Sequence, residues 1–358
     1  MGGGTMDGDA PTGEGHDPAS GLAWRFRPAP AGGSDLLAVV FSQVRVPPGR
    51  FGLERFFSNT RHACLFLNCP DPTWYLGCET AIDRAIDAAL AASGAARIVH
   101  YGASKGAYGA LVTALRRGDG QVFAFGPELL LGRPGSQSGA VVRPAMATAP
   151  DLAPRLARCG EGPELTLVFG IFDATDAAGA VALAGQDLPA RVKVLRLLSS
   201  HASHDHLYTL NIARKLIAGF SRDLGTLCAE RGLIAEDGTA ELARFAAFAG
   251  RMAAEEHDSQ DAVGEALADP YARVNPGYGL AVGQALIRLG EREQAAHWLA
   301  GVQERVDAMP GAGALPKRWR KMVWQARLAA ADATTRTTLA AQARERFPGE
   351  DWPEAAPW

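Results

Sequence analysis

The 358-residue chain has few cysteines, little net charge and no long apolar run. Its formal net charge of −3 provides no basic field to hold a nucleic acid. The apolar runs are too short to cross a bilayer, which takes roughly 18 residues, so no membrane span is expected. The first residues contain neither a positively charged start nor an apolar segment, so no secretory signal is expected.

The cysteines are odd in number and form no C-x-x-C pair. This pattern argues against a disulfide framework or structural zinc and favours a reducing, cytoplasmic compartment. The five positions are Cys64, Cys69, Cys78, Cys159 and Cys228.

What remains is typical of a soluble globular protein, with 47% hydrophobic and 21% charged residues. The length suggests two domains. Residues 1–34 are rich in glycine and proline and poor in large apolar side chains, which predicts a disordered tail. The changes in pattern along the chain predict an α/β domain over residues 35–225 and a helical region over residues 226–358.

Six short apolar runs in the α/β region alternate with helix-like stretches. The runs are almost continuously hydrophobic, which is typical of parallel strands buried on both faces. The predicted fold class is therefore a mostly parallel sheet of about six or more strands with helices on both faces. The predicted strands are Leu36–Val44, Ala63–Asn68, Arg97–Tyr101, Gln121–Phe125, Leu165–Phe169 and Val192–Leu198, and the predicted helices are Cys78–Ala92, Lys105–Arg117 and His206–Arg222.

The C-terminal region carries helical patterns only. Its segment Gly277–Val306 divides into two amphipathic halves at Gly290, and a weaker pair follows at Arg318–Ala331 and Ala333–Phe347. The first pair resembles a tetratricopeptide hairpin, although a solenoid needs about three such copies. The alternative is a helical cap packed on the sheet domain.

The most informative stretch is a G-x-S-x-G pentapeptide formed by Gly102, Ser104 and Gly106 with the residues between them. An apolar strand precedes it and an amphipathic helix follows it. A strand-to-helix turn this tight leaves no room for side chains at the two glycines and exposes the serine in a strained conformation. The following helix start offers free N–H groups beneath the serine.

In this stretch the sequence resembles the α/β-hydrolase superfamily, over roughly residues 35–225. The resemblance implies that Ser104 attacks an acyl carbon and that the backbone N–H of Lys105 helps to hold the oxyanion. It also implies a carboxylate and then a histidine later in the chain, and no cofactor. The Lys105 side chain itself is expected to be solvated.

The candidate acid follows the predicted strand Leu165–Phe169. Asp173 lies three residues after the glycine that ends this strand, which matches the family's usual position, and Asp176 is the alternative. An aspartate in this place also suits a helix N-cap, and Asp176 fits that role well. Glu128, after another strand, is a more distant option.

Three histidines follow the last predicted strand. His204, six residues before the apolar Leu210, best matches the place that the family resemblance implies for the base, and His201 and His206 are the alternatives. Together with Asp205 these histidines also suggest a metal site. Their order, H-x-x-H-D-H, differs from the H-x-H-x-D-H of metallo-hydrolases, and no second ligand cluster stands out, so no metal is expected.

The second oxyanion donor is expected from the loop after Ala63–Asn68. Pro70 has no N–H, so the candidates are the N–H of Cys69 or Asp71 and the side-chain amide of Asn68. In the same loop, Trp74 and Tyr75 either line a pocket or cover the sheet edge.

These residues predict a serine hydrolase that cleaves an ester or related acyl bond in a small-molecule or acylated substrate. The alternative is a non-catalytic protein of the same fold that binds a ligand, or whose C-terminal helices recruit a protein partner or self-associate. An acyltransferase using the same residues is a third reading. Fold alone does not choose among them.

Overall fold

Eight strands form one sheet in a computed structural model, which describes residues 13–141, 144–254 and 259–352. The strands are β1 (Glu14–His16), β2 (Ala23–Arg27), β3 (Leu36–Phe41), β4 (Ala63–Asn68), β5 (Arg97–Ala103), β6 (Gln121–Phe125), β7 (Glu164–Gly170) and β8 (Val192–Leu197). They lie in the order β1-β2-β4-β3-β5-β6-β7-β8. The six strands from β3 to β8 are parallel, and β1 and β2 run antiparallel at one edge. All six predicted strands are present, and the predicted fold class is confirmed.

Both faces of the sheet are buried, as the continuous apolar runs predict. In β3, Leu37, Val39 and Phe41 belong to the core on one face. The alternate residues of the same strand belong to the core on the other face. Because successive side chains point to opposite faces, a strand covered on both sides must be apolar throughout.

The prediction of a tail over residues 1–34 is wrong for its described part, because β1 and β2 belong to the sheet. Strand β2 pairs antiparallel with β4, and Leu22 and Phe26 are buried. The prediction used the glycine and proline content of the whole segment and so gave too little weight to these apolar residues. They are enough to anchor a short edge strand. Residues 1–12 lie outside the described residues.

Helices cover both faces of the sheet. Those of the α/β domain are α1 (Glu79–Ser93), α2 (Lys105–Arg117), α3 (Leu152–Ala157), α4 (Ala174–Ala184), α5 (Ser203–Thr209), α6 (Ile212–Ile217) and α7 (Leu224–Ala229). The single helix predicted over His206–Arg222 is two helices, because Asn211 takes a left-handed conformation with φ 62°. Asparagine is one of the few residues that adopts this conformation readily.

The remaining described helices are α8 (Thr239–Ala253), α9 (Ser259–Ala268), α10 (Pro270–Val274), α11 (Pro276–Arg288), α12 (Arg292–Ala308), α13 (Lys317–Ala330) and α14 (Ala333–Arg346). The predicted break at Gly290 separates α11 from α12, and Gly290 has φ 84°. The tetratricopeptide resemblance stays a prediction. The predicted boundary after residue 225 falls inside α7. Among the described residues, no helix is long and apolar enough to cross a membrane.

The C-terminal helices pack against the loop that follows β7. The Asn275 side-chain amide donates to Ile171 O at 3.0 Å, while its oxygen caps α11. The ring of Trp319 stacks on Phe172 with the centroids 5.4 Å apart. These contacts fix the residues directly before Asp173, so the helical region supports one of the loops at the carboxyl edge of the sheet.

Candidate active site

Ser104 occupies the turn between β5 and α2 with φ 54° and ψ −122°. This is an unfavourable conformation for a residue with a side chain. A Cβ atom at Gly102 would lie 2.2 Å from Gly106 O, and one at Gly106 would lie 2.3 Å from Phe41 O. The two glycines therefore let strand, turn and helix approach closely and hold Ser104 at the carboxyl edge of the sheet.

A hydrogen-bonded chain of three side chains begins at this serine. His201 Nε2 lies 3.0 Å from Ser104 Oγ, and His201 Nδ1 lies 2.8 Å from Asp176 Oδ1. The second oxygen of Asp176 accepts a hydrogen bond from Gly170 N at 2.8 Å. His201 lies in the turn between β8 and α5, and Asp176 lies in the first turn of α4. The structure thus joins the serine to the two residues that the sequence analysis ranked as alternatives.

Gly126, the residue after β6, makes room for the ring of His201. It has φ 60°, and a Cβ atom here would lie 2.9 Å from His201 Nδ1 and 3.3 Å from Asp176 Oδ1. A side chain at this position would therefore be strained by the backbone and would press on the pair of His201 and Asp176.

The surroundings of His201 favour its charged form. Burial acts to lower the pKa of His201, but the carboxylate of Asp176, aided by those of Asp173 and Glu128, raises this pKa to about 9. Asp176 is buried, with a side chain only 1% exposed. A carboxylate held out of water beside the ring is well placed to stabilise an imidazolium.

Asp173, the leading candidate for the acid, is the N-cap of α4. Its Oδ1 accepts hydrogen bonds from Thr175 N at 2.9 Å and Asp176 N at 3.2 Å. Burial raises the pKa of Asp173, and the neighbouring His201 opposes that rise. The sequence analysis favoured Asp173 as the acid and Asp176 as the helix cap. In the structure the two roles are exchanged, because Asp173 caps α4 and Asp176 is hydrogen-bonded to His201.

His204, the leading candidate for the base, points into an aromatic cluster instead of towards Ser104. Its ring centroid lies 5.1 Å from those of Phe56 and Phe125 and 5.5 Å from that of Tyr101. Its Nδ1 lies 3.7 Å from Asp205 Oδ1, and neither ring nitrogen makes a hydrogen bond to the described residues. Because α5 begins at Ser203, His204 belongs to a helix face that is turned to the core.

His206, the other alternative for the base, is also buried within α5. Its Nδ1 lies 3.0 Å from Ser199 Oγ. Burial lowers the pKa of His206 to about 4, which keeps the ring neutral. Of the three histidines, only His201 precedes the helix and reaches the serine.

Lys105 has two separate features. As the first residue of α2, it carries a backbone N–H that has no acceptor within the helix, as expected for an oxyanion donor. Its side chain, expected to be solvated, is buried. The ammonium group donates to Cys69 O and lies 5.1 Å from the centre of the Tyr75 ring. Burial lowers the pKa of Lys105.

The side chain of Asn68 is engaged away from the serine. Its amide nitrogen donates to Val46 O, Pro47 O and Arg50 O at 3.3, 3.2 and 2.9 Å. The Cys69 carbonyl, in turn, accepts the Lys105 ammonium group. The Asn68 amide is therefore not the oxyanion donor that the sequence analysis considered.

The loop beside the serine follows β3 instead of β4. Strand β3 lies between β4 and β5, and Phe41 pairs with Gly102. The residues after Phe41 therefore reach the carboxyl edge next to Ser104. Here the backbone N–H of Gln43 has no hydrogen-bond acceptor among the described residues. Sequence order alone did not reveal which early strand adjoins β5.

Trp74 and Tyr75 belong to the core, which contradicts the pocket that the sequence analysis considered for them. Trp74 is 1% exposed and Tyr75 is 3% exposed. The Tyr75 hydroxyl donates to Ser42 O at 2.8 Å. Of the two roles considered, covering the edge of the sheet is the one the structure supports.

The segment after β6 covers the serine. We call residues 126–141 the cap segment. Its exposed Gln137 accepts a hydrogen bond through Oε1 from Ser104 Oγ at 3.3 Å. The buried carboxylate of Glu128 holds the segment by accepting from Ser138 N at 3.1 Å and from the Ser138 hydroxyl. Glu128, the distant candidate for the acid, thus orders the cap segment and acts on His201 through its charge.

Asp173, Asp176 and His201 offer ligand atoms that lie within 4.8 Å of one another, close enough for a metal ion. Each of the three is already engaged in the hydrogen bonds described above. His204 and His206, which the metal alternative of the sequence analysis included, do not belong to this group.

Comparisons with known proteins place the chain among distant structural neighbours. It is similar to an alpha-beta serine hydrolase homologue from Coxiella burnetii, at 15% identity over 58% of this chain and 96% of that chain, with a TM-score of 0.39. It is also similar to the capsule O-acetyltransferase of Neisseria meningitidis serogroup A, at 13% identity over 56% of this chain and 94% of that chain, with a TM-score of 0.41. No family model matches the chain, and no curated protein matches it. At these values the similarities say nothing about activity, so function is inferred from the side chains of the site.

Proposed function

We propose that the protein is a serine hydrolase that cleaves an ester or related acyl bond, with Ser104 as nucleophile, His201 as base and Asp176 as the orienting acid. The observation that supports it most is the unbroken hydrogen-bonded chain from Ser104 Oγ through His201 to Asp176 Oδ1. A serine is a weak nucleophile until an oriented imidazole takes its proton. A protein that only binds a ligand has no need for such a chain.

In the proposed reaction, His201 Nε2 takes the proton of Ser104 while Oγ attacks the acyl carbon. His201 then gives this proton to the leaving alcohol, and the acyl group stays on Ser104. Water attacks the acyl-enzyme by the same route, and the acid is released. Asp176 holds the ring in the required tautomer through Nδ1–H and stabilises the imidazolium that forms in each half of the reaction.

Two backbone N–H groups are proposed to hold the oxyanion. One belongs to Lys105 at the start of α2, and the other belongs to Gln43 after β3. Lys105 directly follows Ser104, and Gln43 lies two residues after Phe41, which pairs with Gly102. Neither N–H has a backbone acceptor among the described residues. Donors fixed in place before the reaction stabilise the developing negative charge without reorganisation. Gln137 in the cap segment must yield its contact with Ser104 when a substrate enters.

The proposal is tested by hydrolysis of an activated ester such as p-nitrophenyl acetate. The wild-type protein is expected to release a burst of nitrophenol equal to its own concentration and then to turn over slowly, as acyl-enzymes do. Ser104→Ala is expected to lose both phases. Equal hydrolysis by the folded Ser104→Ala variant would refute the proposal.

The rate of this reaction is expected to rise with pH. Because the pKa of His201 is raised to about 9, most rings are protonated at pH 7 and cannot accept the serine proton. The value of kcat/KM, corrected with Ser104→Ala as the blank, should rise by roughly tenfold or more between pH 7 and pH 9. A rate that is already constant above pH 7 would contradict the proposed environment of His201.

A further inference from the structure

Two cysteines that are separated in the sequence lie side by side in the fold. Cys69 follows β4 and Cys78 directly precedes α1, and their sulfur atoms are 3.6 Å apart. The Cys78 thiol donates a hydrogen bond to Cys69 Sγ. Both residues are 1% exposed, and both are free thiols. The absence of a C-x-x-C motif concealed this pair, because the intervening loop brings its ends back together.

We propose that Cys69 and Cys78 form a reactive dithiol that a hydroperoxide oxidises to an intramolecular disulfide. The sulfur atoms of a disulfide lie about 2.05 Å apart, so the pair needs to approach by only about 1.5 Å. The reactivity of the dithiol does not require the proposed hydrolase chemistry, and the dithiol provides this chain with a site of reversible covalent modification.

The surroundings give the two sulfur atoms different roles. The hydrogen bond from Cys78 lowers the pKa of Cys69, against the effect of burial, and Thr73 and the Lys105 cation contribute to this lowering. The same hydrogen bond and burial raise the pKa of Cys78. The thiolate is the nucleophilic form of a cysteine, so Cys69 attacks the oxidant first and Cys78 attacks second.

The pair lies just beneath the surface. Pro70 next to Cys69 and Gly77 next to Cys78 are exposed. Between them, Trp74 and Tyr75 take left-handed conformations with φ 55° and 63°. Such conformations are strained for residues with large side chains. The loop 70–77 thus has an exposed residue beside each cysteine and a strained backbone between them, and we expect a small hydroperoxide to reach the sulfur atoms through this loop.

The proposed oxidation proceeds in two steps. The Cys69 thiolate attacks one oxygen of hydrogen peroxide, the O–O bond breaks, and hydroxide leaves and takes up a proton to become water. Cys69 is now a sulfenic acid. Cys78 sulfur then attacks Cys69 sulfur, the S–O bond breaks, and the hydroxide leaves with the Cys78 proton as a second water. The two thiols lose two electrons in total, and the peroxide gains them.

The test treats the full-length protein with hydrogen peroxide, stops the reaction with iodoacetamide in denaturant, and maps the products by mass spectrometry. We expect two fewer alkylated sites, a peptide linkage between Cys69 and Cys78, and recovery of both thiols with dithiothreitol. The pair should react at least about tenfold faster than Cys228, because burial raises the pKa of that thiol to about 12.

Three variants separate the roles of the two sulfur atoms. In Cys78→Ser, dimedone should trap a sulfenic acid on Cys69. In Cys69→Ser, and in Cys69→Ala as a second variant, Cys78 should stay alkylatable. Cys228→Ser is the matched control and should still form the linkage. The wild-type mapping decides the proposal even if a variant fails to fold. The half-buried Cys159 shows whether the peroxide has reacted with the protein. If Cys159 is oxidised while Cys69 and Cys78 remain unlinked, the proposal is overturned.

Discussion

Replacing His201 by alanine is expected to lower kcat/KM for an activated ester by about 10⁴-fold or more, because the variant lacks the group that takes the serine proton. The expected loss follows from the 3.0 Å contact between His201 Nε2 and Ser104 Oγ. Steady-state hydrolysis and the labelling rate with a fluorophosphonate both measure it. Near-ultraviolet circular dichroism checks that the variant keeps its fold.

His204→Gln is the matched control for this experiment. His204 lies three residues further along the same segment, but its ring packs against Phe56, Tyr101 and Phe125. Its replacement should therefore leave kcat/KM within about threefold of the wild-type value, which is less than 1 kcal/mol in the barrier. A large loss in His204→Gln together with a small loss in His201→Ala would return the base to His204 and refute the proposed role of His201.

Asp176→Asn is expected to lower kcat/KM by about 10³–10⁴-fold. An amide nitrogen in place of Oδ1 no longer accepts from His201 Nδ1–H, so the ring takes the wrong tautomer. The loss of the buried carboxylate should also lower the pKa of His201 and move the rising limb of the pH profile to lower pH. The measurement is a pH–rate profile of the wild-type protein and the variant.

Asp173→Asn provides the comparison for Asp176→Asn. Asparagine caps helices about as well as aspartate, so the N-terminus of α4 should be preserved. Activity should stay within about tenfold of wild type, with a modest shift of the pH profile to lower pH, because Asp173 also raises the pKa of His201. A greater loss in Asp173→Asn than in Asp176→Asn would show that the acid had been wrongly assigned.

The sequence alone was enough to predict the central strands and the position of the serine. Continuous apolar runs predict parallel strands, because helices bury both faces of such a sheet. The G-x-S-x-G spacing defines a strand-to-helix turn that few other sequences can make. Gly102 and Gly106 illustrate the second point, since their missing side chains correspond to actual close contacts in the fold.

The sequence was not enough to choose the partners of Ser104. The choice between His201 and His204 depends on where α5 begins, and helix boundaries depend on local capping and packing. Likewise, the spacing could not tell which aspartate caps α4 and which one turns to the histidine. The loop next to the serine depended on β3 lying between β4 and β5, a tertiary arrangement that the order of residues does not encode locally.

The most direct measurement is the site of covalent labelling by a fluorophosphonate. A phosphonate adduct on the peptide that contains Ser104, formed by the wild-type protein and absent from Ser104→Ala and His201→Ala, is the result expected for a serine activated by its histidine. An unlabelled serine in folded protein at pH 9, where the His201 ring should be substantially neutral, would contradict the proposed chemistry.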